Sequence, residues 1–296
     1  MEKKSKTLFF ICLFFFSNIV FSQTSFKSYW VDFHKGMAPG YGQGYSEDLV
    51  EIDAPWKLCK DRYDRHILHA DPLPTEPRIP KIIHQIQLGN PFPEKYKKIQ
   101  KTWQTLHPDW VYMLWTDKEV EAFGLTNKVQ YDHARNYGEK SDIARYEILY
   151  RIGGLYVDTD FECLQPFDIF HFYCDFYAGL GYGNCNAKNS VASFAAFNGL
   201  IGCKPGHPIM KLIIEKVGKI RRFGECSLSN TGPYFFGLTC YEGMKSYEGP
   251  AVLFPVTYFY PWQGLPTWSR DRSAIESFLK PESYALHHWA TSWAPH

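Results

Sequence analysis

The 296-residue chain carries 32 Lys and Arg against 31 Asp and Glu, a net of +1 with histidines neutral. That balance excludes a protein built around a polyanion, since nucleic-acid binders carry a basic surplus or stripe, and a 45% hydrophobic content excludes an intrinsically disordered chain. The 18% aromatic fraction, with 9 Trp, 20 Tyr and 23 Phe, suits both a large core and contact with the apolar faces of sugar rings.

Residues 1–22 read as an address. Lys3, Lys4 and Lys6 precede the apolar run 8–16, and Val20-Phe21-Ser22 is an acceptable cleavage site. Extended to Phe21, the apolar segment is still shorter than the ~20 residues of a spanning helix. A cleaved export signal is therefore expected, with a retained short anchor as the alternative; both place the protein outside the cytoplasm. Cleavage after Ser22 leaves 29 basic against 30 acidic residues.

Residues 23–77 are rich in aromatics, Gly and Pro and form an amino-terminal extension. Gly36, Gly40, Gly42 and Gly44 have neither a preceding strand nor a following GK[ST], so they are expected to form a loop, not a phosphate cradle. Residues 71–77 read as an extended connector. Beyond Cys12 there are seven cysteines, an odd number for an exported chain, and no CxxC. His171 and Cys174 have no matching second pair and are expected to be structural.

The main domain spans residues 78–296. A β-branched strand is expected over 79–86, a helix over 94–106 ended near Pro108, and a second strand over 110–115, with Asp117 capping a short helix. Ile143, Tyr146, Leu149 and Ile152 form one stripe of a helix over 141–152, stopped by Gly153-Gly154. A short strand at 155–157 ends on Asp158-Thr159-Asp160. Strand and helix alternating in this way predict an α/β fold with a mostly parallel sheet. From Phe161 to Trp262 the chain reads as β-rich and irregular.

Asp158 and Asp160 are two apart at the end of a hydrophobic strand, so both carboxylates can face one spot. Like charges that close repel unless a cation lies between them or one is protonated. Carboxylate oxygens suit Mg²⁺ or Mn²⁺, ions that also bind phosphates. Ligands of open α/β sheets bind beyond the carboxyl ends of strands, where this pair lies. A simple turn is the other reading of the tripeptide alone. Asp142 and Arg145 lie three apart on one helical face that runs through two glycines into the same strand, offering an acceptor and a donor to sugar hydroxyls.

Residues 141–160, SDIARYEILYRIGGLYVDTD, resemble the signature block of the DXD-containing glycosyltransferases of family 32, which include yeast mannosyltransferases and capsular polysaccharide transferases. Residues 79–86 resemble that family's first strand; 197–202 with 206–208, and 231–233, resemble later blocks; 285–289 with Ser292 and Trp293 resemble its closing A-x-H-x-W…SW segment. The resemblance implies a GT-A fold and retaining, metal-dependent transfer of a hexose from a UDP- or GDP-linked nucleotide sugar to a glycan or glycolipid acceptor. It further implies that Asp158 and Asp160 hold Mn²⁺ or Mg²⁺, with His287 (or its neighbour His288) as third ligand. Asp142 and Arg145 fall at catalytic positions that hold the donor sugar, and His84, Asn198, Thr231, Gly232, Ser292 and Trp293 at substrate-binding positions. Where the family's first strand continues into Trp, this chain has Gln87, so the base is expected to be met differently. No carboxylate nucleophile is identifiable; a same-face mechanism needs none.

Two other readings compete. A non-catalytic carbohydrate-binding relative is disfavoured by intact Asp158, Asp160, Arg145 and His287. A glycoside hydrolase needs two carboxyl groups roughly 5–9.5 Å apart, a poor match to a metal-clamped Asp-x-Asp. The expected partners are thus a nucleotide-sugar donor and a glycan or glycolipid acceptor, without nucleic acid, and with membrane association through the amino terminus. The expected location is the cell envelope or a Golgi-type lumen.

Overall fold

The computed structural model describes residues 30–37, 47–70, 74–182, 194–221, 223–224, 227–262 and 271–290. The leader, Gly40, Gly42, Gly44, Cys185, Cys226, Ser292, Trp293 and the start of the 71–77 connector lie outside them. Among the described residues no helix is long and apolar enough to cross a membrane.

The extension contributes helices α1 (Phe33–Gly36), α2 (Glu47–Ile52) and α3 (Ala54–Tyr63). Weak periodicity hid these helices, but Asp53 caps α3 by accepting from Trp56 N, with Pro55 in the first turn. The extension is part of the core. Trp56 is fully buried with its ring 5.5 Å from that of Phe194, and the Tyr63 hydroxyl meets that of Tyr258 at 2.7 Å. Arg62 donates to the carbonyls of Met244 (2.6 Å), Gly249 (3.0 Å) and Tyr247.

The alternation then follows: β1 (Ile82–Ile86), α4 (Lys97–Leu106, after a 3-10 turn at Glu94–Tyr96), β2 (Val111–Trp115), α5 (Asp117–Phe123), α6 (Lys128–His133), α7 (Tyr137–Ile152) and β3 (Gly154–Val157). The cap of α5 is Thr116 and not Asp117: Glu119 reaches back to accept from Thr116 N in a capping box, while the Asp117 carboxylate accepts from Gly89 N at 2.8 Å. Helix α7 starts four residues before the expected boundary because Asn136 accepts from Glu139 N.

Past Phe161 the expectation of β-rich, irregular chain is corrected. After β4 (Phe161–Cys163), α8 (Asp168–Tyr173), β5 (Phe176–Tyr182) and β6 (Phe194–Cys203) come α9 (Pro208–Val217), α10 (Ser227–Asn230) and the 14-residue α11 (Pro233–Ser246). Gly237 and Gly243 are packing positions in α11. A Cβ at Gly237 would lie 2.8 Å from Ala196 N, and one at Gly243 2.9 Å from Ile209. The chain closes with β7 (Ala251–Phe254), α12 (Val256–Phe259), α13 (Arg272–Glu276) and β8 (Ala285–His287).

The main sheet has the order β2-β1-β3-β6-β5-β7. Five strands run in one direction, as expected for a mostly parallel α/β sheet, and β6 alone runs against both neighbours. Strand β8 pairs separately with β4. The reversal of β6 matters for the site: Leu200 pairs with Val157, so Asn198 and Gly199 arrive at the carboxyl edge of β3.

Candidate active site

Two tight connections aim the site. Gly153 (φ 74°) and Gly154 (φ 109°) turn α7 directly into β3, and a Cβ on Gly154 would lie 2.6 Å from Ile82 O. His84 holds this joint. Its Nδ1 accepts from Trp115 Nε1 (3.1 Å), which leaves the proton on Nε2 to be donated to Gly153 O (2.8 Å). Burial pushes the His84 imidazole down to about 4. Fully buried and absent from the cavity wall, His84 is not a substrate contact, and that expectation is corrected.

Beyond β3 a cavity of about 580 Å³ opens. It is lined by the first turns of α7, the ends of β1 and β3, the Phe197–Gly199 stretch of β6, and Trp289. Asp158, Asp160 and His287 each place a ligand atom within 4.8 Å of the others. His287 Nε2 lies 3.1 Å from Asp160 Oδ1, and Asp160 Oδ2 accepts from Ala290 N at 2.8 Å. The His287 ring stacks on Phe161 (4.5 Å), and its Nδ1 is buried without a hydrogen-bond partner among the described residues. His288 points elsewhere, its Nε2 3.0 Å from Glu162. The structure thus brings His287, and not its neighbour, to the carboxylate pair.

Electrostatics separate the two carboxylates. Burial pushes Asp158 up, opposed by Arg145 and reinforced by Asp160. Asp160 is held well below the ordinary carboxylate range: burial acts against this, but the His287 ring and the Ala290 N–H outweigh it. Burial would lower His287, yet Asp160 and Asp158 lift it. Asp158 is also fixed sterically. Its Oδ1 accepts from Tyr156 OH at 2.6 Å, and a Cβ on Gly199 would lie 2.7 Å from Oδ2, so only glycine leaves that oxygen its place.

Arg145 ties the two halves together. Its Nη1 is 3.2 Å from Asp158 Oδ1 and donates to Asn198 O (2.7 Å), while Nη2 is 3.2 Å from Asp142 Oδ1. The guanidinium lies 4.3 Å from the Tyr156 ring centre. Asp142 accepts from Asn198 Nδ2 (2.7 Å) and Thr231 Oγ1 (2.8 Å), and Tyr146 OH donates to Thr231 O (2.6 Å). Burial pushes Asp142 up to about 6 despite Arg145. Asp142, Arg145, Asn198 and Gly232 line the cavity. Thr231 is fully buried behind Asp142 and is absent from the cavity wall, so its expected direct contact with substrate is corrected to support of that carboxylate. Sequence reasoning missed Tyr96, Tyr137, Phe197, Tyr260 and Trp289 on the wall. Of these, Phe197 and Trp289 carried a signal, lying in the resembling blocks 197–202 and 285–289, beside Asn198 and two residues after His287 respectively. Trp289 adopts φ 49°, which lets His287 and Ala290 both reach Asp160.

His171 is structural as expected, contacting Ile79 O (3.2 Å) and Tyr177 OH (3.1 Å). The five described cysteines are buried free thiols.

Residues 93–175 match the family model described as the glycosyltransferase sugar-binding region containing DXD motif. The chain is similar to inositol phosphoceramide mannosyltransferase 3 of Schizosaccharomyces pombe, 28% identical over 266 residues that cover 83% of this chain and 67% of that protein. It also resembles inositol phosphoceramide mannosyltransferase 2 of that yeast, 32% identical over 53% of this chain. Mannosyl phosphorylinositol ceramide synthase SUR1 of Saccharomyces cerevisiae is 27% identical over 83% of it. The matches span 49% and 58% of those two relatives. Among solved structures, PaToxG glycosyltransferase superposes with a TM-score of 0.48 at 19% identity, over 66% of this chain and 79% of its own. The Asp158-Thr159-Asp160 triplet lies inside the matched region, at the carboxyl edge of β3 where the cavity opens, so residues 93–175 resemble the DXD-containing sugar-binding region of glycosyltransferases.

Proposed function

We propose that the protein moves a hexose from a UDP- or GDP-linked sugar to a glycolipid or glycan acceptor, with retention and with help from Mn²⁺ or Mg²⁺. The observation that carries this reading is the convergence of Asp158, Asp160 and His287 beside the Asp142–Arg145 pair on one cavity wall. The mannosyl transfer to inositol phosphoceramide for which the yeast relatives are named supports a hexose and a glycolipid.

The donor set fits a divalent cation. Two carboxylates converge on one point, the repulsion between them is incompletely relieved, and an adjacent imidazole keeps one buried nitrogen unpartnered. Asp158, Asp160 and His287 would hold the ion, and when bound it supplies charge neutralisation at the donor diphosphate. The chain's own residues do the rest. Asp142, locked by Thr231, Asn198 and Arg145, presents a fixed acceptor to sugar hydroxyls. Arg145 brings a buried positive charge to the same wall. Phe197, Tyr260 and Trp289 exclude water from the reacting end.

In the transfer, the bond from the anomeric carbon to the diphosphate oxygen breaks and its electron pair leaves with that oxygen. The acceptor hydroxyl oxygen forms the new bond on the same face, and its proton passes to the departing phosphate. The carboxylates on the wall are already engaged: Asp142 and Asp158 by Arg145, Asp160 by Ala290 N, and Glu139 by Asn230 and Arg135 N. That supports a same-face route over a covalent intermediate. The apolar leader supports export or anchoring outside the cytoplasm.

The test is nucleotide release from a panel of UDP- and GDP-sugars with Mn²⁺. At least one donor should turn over, chelation should stop it, and Asp158→Asn with Asp160→Asn should slow it about 100-fold or more. A double variant releasing nucleotide at the unaltered rate would overturn the metal assignment. No turnover of any donor would favour a carbohydrate-binding relative.

A further inference from the structure

The cavity rim carries a second, differently charged feature. The turn Glu94–Tyr96 and the start of α4 place Lys95, Lys97, Lys98 and Lys101 in solvent, four lysines against Glu94 within eight residues. The whole chain is balanced to one charge, so this concentration is local and not a general basicity.

The lysines are poorly neutralised. Lys97 meets Glu94 at 2.6 Å, but both side chains are more than half exposed, where such a pair stabilises little. Lys95 lies over the Tyr96 ring at 4.8 Å. Among the described residues, no carboxylate lies within ion-pair distance of Lys98 or Lys101. On α9, by contrast, the half-buried Lys216 pairs with Glu242 at 2.6 Å.

The same turn also faces inward. Pro93 and Tyr96 line the cavity. Tyr96 is 6% exposed, and its hydroxyl is buried without a hydrogen-bond partner among the described residues. One turn therefore offers a cationic outer face to the surroundings while its inner side forms part of the cavity wall. Buried Trp103, donating to Phe161 O at 2.6 Å, fixes α4 in that orientation.

We propose that this lysine face docks the protein on an anionic lipid surface, holding the cavity rim against the headgroups from which the acceptor is drawn. Several lysines on one face gain attraction from a negatively charged leaflet that falls off within a Debye length. A lipid surface is favoured over a soluble anion because the charges lie outside the cavity on an exposed face, and not converging within it. The acceptor part rests on the glycosyltransfer reading; the docking part is measurable without turnover.

The experiment is cosedimentation of the full chain with phosphatidylcholine vesicles, with and without about 30% phosphatidylserine. Binding should require the anionic lipid and be largely lost near 0.5 M salt, where the Debye length has shrunk to about 4 Å. Replacing Lys95, Lys97, Lys98 and Lys101 by Gln should weaken it about tenfold or more, whereas Lys211→Gln with Lys219→Gln should leave it unchanged. Equal binding to neutral vesicles, no binding to either, or an unaffected quadruple variant would overturn the proposal. Lysine-dependent binding by a protein that turns over no donor would keep the surface and remove the glycosyltransfer reading.

Discussion

Two clusters in this molecule are built from nearly the same residues and do opposite things. At the cavity, Asp158, Asp160 and His287 gather beside Arg145 and Tyr156. At the far end of the same sheet, Asp175 gathers His207 (3.3 Å), Lys204 (3.0 Å) and Tyr247. In the second cluster every valence is filled. His207 Nδ1 accepts from Ile209 N, both Asp175 oxygens have donors, and no second carboxylate competes. Burial acts against it, but His207, Tyr247 and Lys204 hold Asp175 at about 2. In the first cluster two carboxylates crowd together and one ring nitrogen is left over. Residue identity therefore does not mark the site; unsatisfied bonding capacity beside open space does.

Asp175→Asn tests that contrast most forcefully. It removes the buried carboxylate that accepts from His207, Lys204 and Tyr247, and should cost about 3 kcal/mol in urea unfolding. Nucleotide release per folded molecule should stay unchanged. A loss of turnover without a loss of stability would erase the distinction between the clusters.

Acid unfolding sharpens it. Burial pushes His84 down to about 4 and His171 to about 3, so both stay neutral in the fold, while the unfolded chain protonates them near 6.5. Their folded values lie below the unfolded one. The stability they contribute is whole above pH ~6.5 and is lost as pH falls towards 4, by about 3 kcal/mol per histidine. Denaturant midpoints that stay flat between about pH 7 and pH 4 would contradict that placement.

The smallest effect concerns support for the sugar side. Thr231→Val removes the hydroxyl that holds Asp142 and should slow turnover about tenfold, with little change in fold stability. Thr231→Ser should restore the rate. A purely structural role would instead be met equally well by Val, whose shape matches.

The sequence was most informative where chemistry and periodicity coincide. The stripe of α7, the two glycines after it and the Asp-x-Asp at the strand end located one wall of the cavity. The opposite wall was legible only through the resemblance, which singled out Asn198; Asn198 and Gly199 reach the site through the reversal of β6, a pairing no local pattern encodes. Thr231 and His84 were expected to touch the substrate, yet both lie buried one layer behind the cavity wall. A residue that touches the ligand and one that braces such a residue look alike in sequence. Helix α11 escaped because its glycines serve close contact with β6 and α9.

The Gly153–Gly154 joint has a mechanical consequence. Arg145 rides on the helix before it and Asp158 on the strand after it, and no slack intervenes. With Ile82, His84 and Pro205 packed around the joint, helix and strand move as one lever. The span between the two ends of the site is thus set by the backbone. The spacing of Arg145 and Asp158 across the site is a property of the joint and owes nothing to loop length.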